Sequence, residues 1–238
     1  MASNVAPQTG SASMPQIPNR AQLSQYVVNR DGWEGIRQSI YDFQAYAAAG
    51  STQLSFFQLP QGQGTAVLGV GGKTLSDTNM NLAGQLPTNQ EFLVQSLEVM
   101  FLPTTPTVAA AMPAAFGAQA VAVLVNDQYI VRRAGNLVLV IGSKPYLQEA
   151  PLLRFPTKAY FDLSAALSDA TTAGAAFQSR IAYANAMGRP YMLHPASLLL
   201  TSNQNFSITL NWPEGVQAVS NPGKIGVIMD GFLYRRSQ

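Results

Sequence analysis

The chain has 238 residues, no cysteine, a single histidine and a formal net charge of +2. Without cysteine there are no disulfide frameworks, thiol nucleophiles or thiolate metal sites, and one histidine cannot build a His-rich metal centre or paired-histidine catalysis within one chain. Only 11% of residues are charged, under half of the usual share of about 25%, so charge repulsion does little to hold copies apart and no basic footprint for nucleic acid is present.

Residues 1–20 read as a flexible arm: Met1–Asn19 is uncharged, rich in Ser, Pro, Gln and Ala, and has almost nothing to bury. It has neither the basic start nor the apolar stretch of a secretory signal. Residues 21–49 read as a helical or irregular linking segment. Trp33, Ile36, Ile40 and Phe43 recur at helical spacing, Asp31 is a candidate cap and Gly50 a stop. The expectation is a helix packed on a sheet or on a neighbour.

Residues 50–238 read as one β-domain. Ser51–Pro60 alternates around Leu54 and Phe56 as a first strand. Gln61–Gly72 holds five glycines in twelve residues; no Walker Lys-Ser/Thr and no βαβ unit accompany them, so a surface loop is expected rather than a phosphate cradle. Lys73–Pro87 reads as an edge strand plus turn. Glu91–Leu102 is a strong strand, with Phe92, Val94, Ser96, Glu98 and Met100 expected on one face.

Val99–Asn126 is uncharged over 28 positions, but Pro103, Pro106, Pro113 and Gly117 interrupt it, against a membrane span. Ala114–Ala134 reads as helix, ended by Gly135, and Asn136–Leu147 as a strand with Pro145 near an edge or bulge. Ser164–Met187 reads as a second Ala-rich helix, broken by Gly174. Arg189–Leu200 is a further strand. Asn205–Trp212 alternates without a break, and Gly223–Gln238 ends in a long strand carrying Ile225, Val227 and, past a slip, Ile228, Phe232 and Tyr234. Seven or eight strands with helical insertions predict an all-β, antiparallel eight-stranded jelly-roll sandwich.

Candidate chemistry is sparse. His194 precedes Pro195 with no carboxylate nearby and reads as structural. Asp77, Glu91, Glu98, Asp127, Glu149, Asp162, Asp169, Glu214 and Asp230 are candidate acids for a glycosidase pair, yet no spacing singles out two of them. Lys144, Arg154 and Lys158 interleave with Tyr146, Phe155 and Tyr160, a thin basic-aromatic mixture for single-stranded nucleic acid. Asp230-Gly231 fits a bulge. Arg235 and Arg236 read as a subunit contact, and Trp33 and Tyr26 join them as candidate interface residues. No catalytic residue, cofactor or metal is expected.

Leu75–Pro87, Phe92–Val99, Ile141–Leu147, Pro151–Pro156, Asn205–Pro213 and Met229–Arg235 resemble the major capsid proteins of small tailless icosahedral bacteriophages, over about residues 50–238. The resemblance implies a jelly-roll coat subunit located in the virion, a homo-oligomer that trimerises or builds other capsomers. A vertex protein, an internal membrane and the genome are the further partners it suggests. Many relatives carry two jelly rolls per chain; this length suits one. The alternative, from another class, is a receptor- or carbohydrate-binding sandwich that offers Tyr26, Trp33, Tyr183 and Tyr191 to a sugar.

Overall fold

A computed structural model describes residues 33–103, 127–158, 160–167, 177–184, 189–193 and 198–236. The expected arm, Tyr26, His194 and most of the uncharged 99–126 stretch lie outside the described residues.

The chain is all-β, built as two antiparallel sheets face to face. The first sheet takes β1 (Trp33–Tyr46), β11 (Gly223–Arg236), β3 (Gln90–Pro103) and, along the far edge of β3, the short β8 (Tyr191–Met192) and β9 (Leu198–Leu200). The second runs β2 (Gln53–Phe56), β10 (Phe206–Asn211), β4 (Asn136–Ile141), β5 (Lys144–Glu149). A separate hairpin, β6 (Tyr160–Leu167) with β7 (Phe177–Ala184), is inserted between β5 and β8. The chain changes sheet at β1–β2, β2–β3, β3–β4, β9–β10 and β10–β11, and by way of the hairpin between β5 and β8, so neighbours within a sheet are mostly distant in sequence.

The inner faces meet in one core. Leu97, Val99, Phe101, Ile225, Val227 and Met229 from the first sheet pack against Phe56, Leu137, Leu139, Ile141, Phe206, Ile208 and Leu210 from the second. Period-two alternation sends these side chains inward and their neighbours outward. At one end Trp212 is buried with its ring 5.5 Å from that of Tyr46, and its Nε1–H donates to the Val131 carbonyl at 2.9 Å. A buried indole needs such a partner. Gly135 makes room: a Cβ there would lie 2.7 Å from that indole nitrogen and 2.5 Å from Leu152.

Several sequence expectations are corrected. Trp33–Tyr46 is a strand, not a helix, and the sandwich therefore begins inside the segment expected to link. Ile36 and Ile40 satisfy a period of two as well as 3.6, and fourteen residues paired with β11 override the local pattern. The stretch expected as a second helix supplies β7 and the end of β6, where ladder pairing outweighs the helix preference of alanine. Asn136–Leu147 is a hairpin, turning at Gly142 with φ +61°, and its register slips at Leu139/Val140, beside Pro145. The expected 189–200 strand divides into β8 and β9. Residues 127–133 are helical, in keeping with the end of the expected 114–134 helix.

The bulge at Asp230/Gly231 is present, but the extra residue is Gln95 on β3. It lets Phe92 and Val94 share the inner face with Leu97 and Val99. On β11 it is Met229, not Ile228, that points inward.

Candidate functional site

The margin where β1 meets β2 is organised by a buried ion pair. Asp42 lies on the inner face of β1 beside Ile40, and its Oδ1 accepts from Lys73 Nζ at 2.6 Å, with the two side chains 0% and 1% exposed. Its Oδ2 accepts the Phe57 amide at 2.7 Å, which holds Phe57 at φ +67°. Burial pushes the Asp42 carboxyl above its ordinary range, opposed by the hydrogen bond and charge of Lys73. A charge this deep is tolerated only with a close partner.

Lys73 is also the base of a finger. Gly62 N–H donates to the Lys73 carbonyl at 2.8 Å, Lys73 N–H to Gln63 at 2.9 Å, and Ala66 N–H to Gly71 at 2.8 Å. Glycines at φ +84°, +67° and +91° (Gly62, Gly64, Gly71) make these bends without strain. The finger tip carries Leu68 and Val70, 64% and 99% exposed. Leu59, Leu75 and Leu82 are exposed in the same stretch. Phe43–Gly72 contains no charged residue.

Lys73–Pro87, expected as an edge strand, is instead an irregular cover for β1. Phe43 N–H donates to the Asp77 carbonyl at 2.8 Å, Tyr41 N–H to Asn79 Oδ1 at 3.0 Å, and Asn79 Nδ2 returns a bond to Ser39 at 2.8 Å. Asp77 in turn takes the Thr74 amide at 3.0 Å. Part of an otherwise open strand edge is thereby closed.

The opposite margin joins β5 to β8 with exposed groups. Glu149 accepts from Arg154 and, at 3.1 Å, from the Tyr191 hydroxyl; the Arg154 guanidinium sits 5.6 Å from the centre of the Tyr191 ring, which packs on Phe155. Tyr146 on β5, Leu153 beside Arg154, Met192 on β8 and Leu199 on β9 are exposed.

On the outer face of the first sheet, Glu98 is buried and accepts the Lys158 amide at 2.9 Å. Burial raises its carboxyl pKa against the pull of Lys158. Asp230 receives Lys158 Nζ and, at 3.5 Å, Arg37. Burial, then the nearby Arg37 charge, lowers the Lys158 ammonium.

Of the expected interface residues, the structure unites three. Trp33 and Arg236 are register partners at the end of β1 and β11, and the neighbouring Arg235 is ion-paired to Glu34. Arg236 donates its amide to Asn89 at 3.2 Å and leaves its side chain exposed. Tyr191, which the alternative sugar-binding reading offers to a ligand, is committed to Glu149 and Phe155. Arg154 and Lys158, expected in the basic-aromatic mixture, are held by Glu149 and Asp230.

Five of the candidate acids are likewise occupied, while the side chains of Asp162 and Asp169 lie outside the described residues. Asp127 is fully buried and accepts the Ser220 and Asn221 amides, each at 2.9 Å, pinning the loop before β11. Asp77, Glu98, Glu149 and Asp230 hold the contacts given above, and Glu214 sits in an exposed turn. Among the described residues no group of three or more His, Asp or Glu side chains could hold a metal, and no helix is long and apolar enough to cross a membrane. Asp42 and Lys73 were missed by sequence reasoning. Reading residues 33–46 as strand would have exposed Asp42 as a charge on a core face. No family model, curated protein or solved structure matches the chain.

Proposed function

We propose that this chain is a shell-building subunit, the major coat protein of an icosahedral virion, folded as a single jelly roll and working by self-association rather than by catalysis. The observation that carries the reading is the strand order. Counting β8 and β9 as one position, each sheet has four, in the orders β1-β11-β3-β8/β9 and β2-β10-β4-β5. That interleaving of first, last, third and sixth positions against second, seventh, fourth and fifth is the order expected of two nested Greek keys and supports the jelly-roll reading. The phrases resembling tailless-phage coat proteins fall on strands β3, β10 and β11, on the β4–β5 hairpin, on the Pro151–Pro156 segment and on the cover of β1.

The surface chemistry supports the same conclusion. Asp42, Glu98, Asp127 and Asp230 serve structural contacts, which supports a role in packing rather than hydrolysis for these carboxylates. Low charge permits close approach of copies. Burying apolar area contributes about 25 cal/mol per Å² before the cost of association, and symmetry multiplies a modest contact into a closed shell.

Electron microscopy of the purified protein, with light scattering on the eluting column fractions, tests it. Capsomers or closed particles are expected. A species that stays monomeric across the accessible concentration range refutes the reading.

A further inference from the structure

Asp42 and Lys73 are withdrawn from water so completely that an ion pair is not the least charged state open to them. Lys73 Nζ lies 2.6 Å from Asp42 Oδ1, with the two side chains 1% and 0% exposed. Charges held this deep stay costly even when paired. An amide between the same two side chains carries no charge at all, and every atom needed to make it is present.

We propose that Lys73 Nζ and Asp42 Cγ condense to an intramolecular amide, a covalent cross-link that ties the base of the 61–72 finger to β1. The step begins with transfer of one ammonium proton to Oδ1, which leaves a neutral amine beside a neutral acid. The nitrogen lone pair then attacks Cγ, and the charge that develops gathers on Oδ2. The Cγ–Oδ1 bond breaks, and Oδ1 departs as water, carrying the first proton and a second one from Nζ. Two charged groups become one neutral amide and one water, and no oxidant, cofactor or activating group is consumed.

The geometry favours this course. An N···O contact of 2.6 Å sets Nζ about 3–3.5 Å from Cγ, the separation of reacting atoms in a near-attack arrangement. The Phe57 amide donates to Oδ2 at 2.7 Å. A fixed backbone dipole thus faces the oxygen that gains charge in the intermediate and ends as the amide carbonyl. Burial raises the Asp42 carboxyl, which favours the neutral acid from which attack begins. Phe43–Gly72 contains no charged residue, so no other lysine or acid lies within the loop to compete.

The product also suits the chain. With no cysteine, it has no disulfide. A bond between residues 31 apart closes a ring that holds the end of β1, all of β2 and the finger. In the chain-entropy account, such a ring stabilises mainly by limiting the unfolded chain.

Denaturing mass spectrometry of the full-length protein decides it. Wild type is expected to be lighter than its sequence by one water. Lys73→Arg, whose guanidinium keeps the cation but does not condense, is expected at its full mass. Trypsin should fail to cut after Lys73 in wild type yet cut at that position in K73R. A chymotryptic digest of wild type should yield Asp42 and Lys73 in one branched peptide. A wild-type chain of full mass, still cleaved after Lys73 following prolonged incubation in the folded state, overturns the cross-link and leaves an ordinary ion pair. So does a missing water that persists in K73R, or one that maps to Asp31-Gly32 or Asp230-Gly231, which marks a succinimide instead.

Discussion

The sandwich closes its two sides by different physics. On the β1/β2 side a carboxylate and an ammonium are wholly withdrawn from water, and the strand cover from Asp77 to Asn79 is fastened over them. On the β5/β8 side the comparable pair, Glu149 with Arg154, stays at the surface with a tyrosine ring beneath the guanidinium. The same two charge types thus serve unlike purposes. Buried, the pair dictates where the finger's base must sit; exposed, it mainly neutralises a surface. Burial, not the presence of an ion pair, decides how much either matters.

The sharpest way to break this contrast is Lys73→Met. It strands the Asp42 carboxylate in the interior, and a loss of about 3–5 kcal/mol is expected, read by thermal or denaturant unfolding. The damage depends on pH. A carboxyl whose folded pKa is raised favours the fold most below its unfolded value of 3.8, and that contribution is lost as pH rises through the folded value. Unfolding of K73M should therefore be closest to wild type in acid and furthest from it at neutral pH.

A smaller effect is expected from Asp42→Asn combined with Lys73→Met. Removing both charges leaves no stranded ion, so the double variant should be more stable than K73M alone, a coupling measured by a double-mutant cycle. If the two losses simply add, the buried pair does not act as a unit. On the other side, Arg154→Ala should cost under about 1 kcal/mol; a larger loss would mean that stacking on Tyr191 outweighs the exposed charge pair.

The smallest expected change has the opposite sign. Glu98 is buried and its carboxyl is raised by desolvation, so its contribution is fully present below its unfolded pKa and lost as pH rises through the folded one. Glu98→Gln keeps an acceptor for the Lys158 amide and cannot ionise. It should gain stability at neutral pH, with the gain fading in acid.

Strands whose alternation is uninterrupted were legible from the residues alone: β3, β10 and β11 lie where Phe92–Phe101, Phe206–Trp212 and Ile225–Tyr234 place them. β1 was not, because its apolar positions fit two periods and its true partner lies some 200 residues away, as the Glu34–Arg235 pair shows with a separation of 201. Gln95 hides the β3 bulge, since one extra residue inverts which side of the strand faces the core. The finger was legible as a glycine-rich loop, but the exposure of Leu68 and Val70 at its tip shows only in the structure. Asp42 and Lys73 lie 31 residues apart on elements of irregular spacing; no local pattern couples them.

The placement of β11 between β1 and β3 has a consequence for synthesis. β1 and β3 are joined only through Gly223–Arg236, so a nascent chain lacking that segment leaves β1 without its ladder and keeps only β3 with β8 and β9. Such long-range pairing is slow to form, and the ribosome must deliver the 223–236 segment before β1 and β3 are joined. Copies that stop short of it leave the backbone of β1 without its ladder partner.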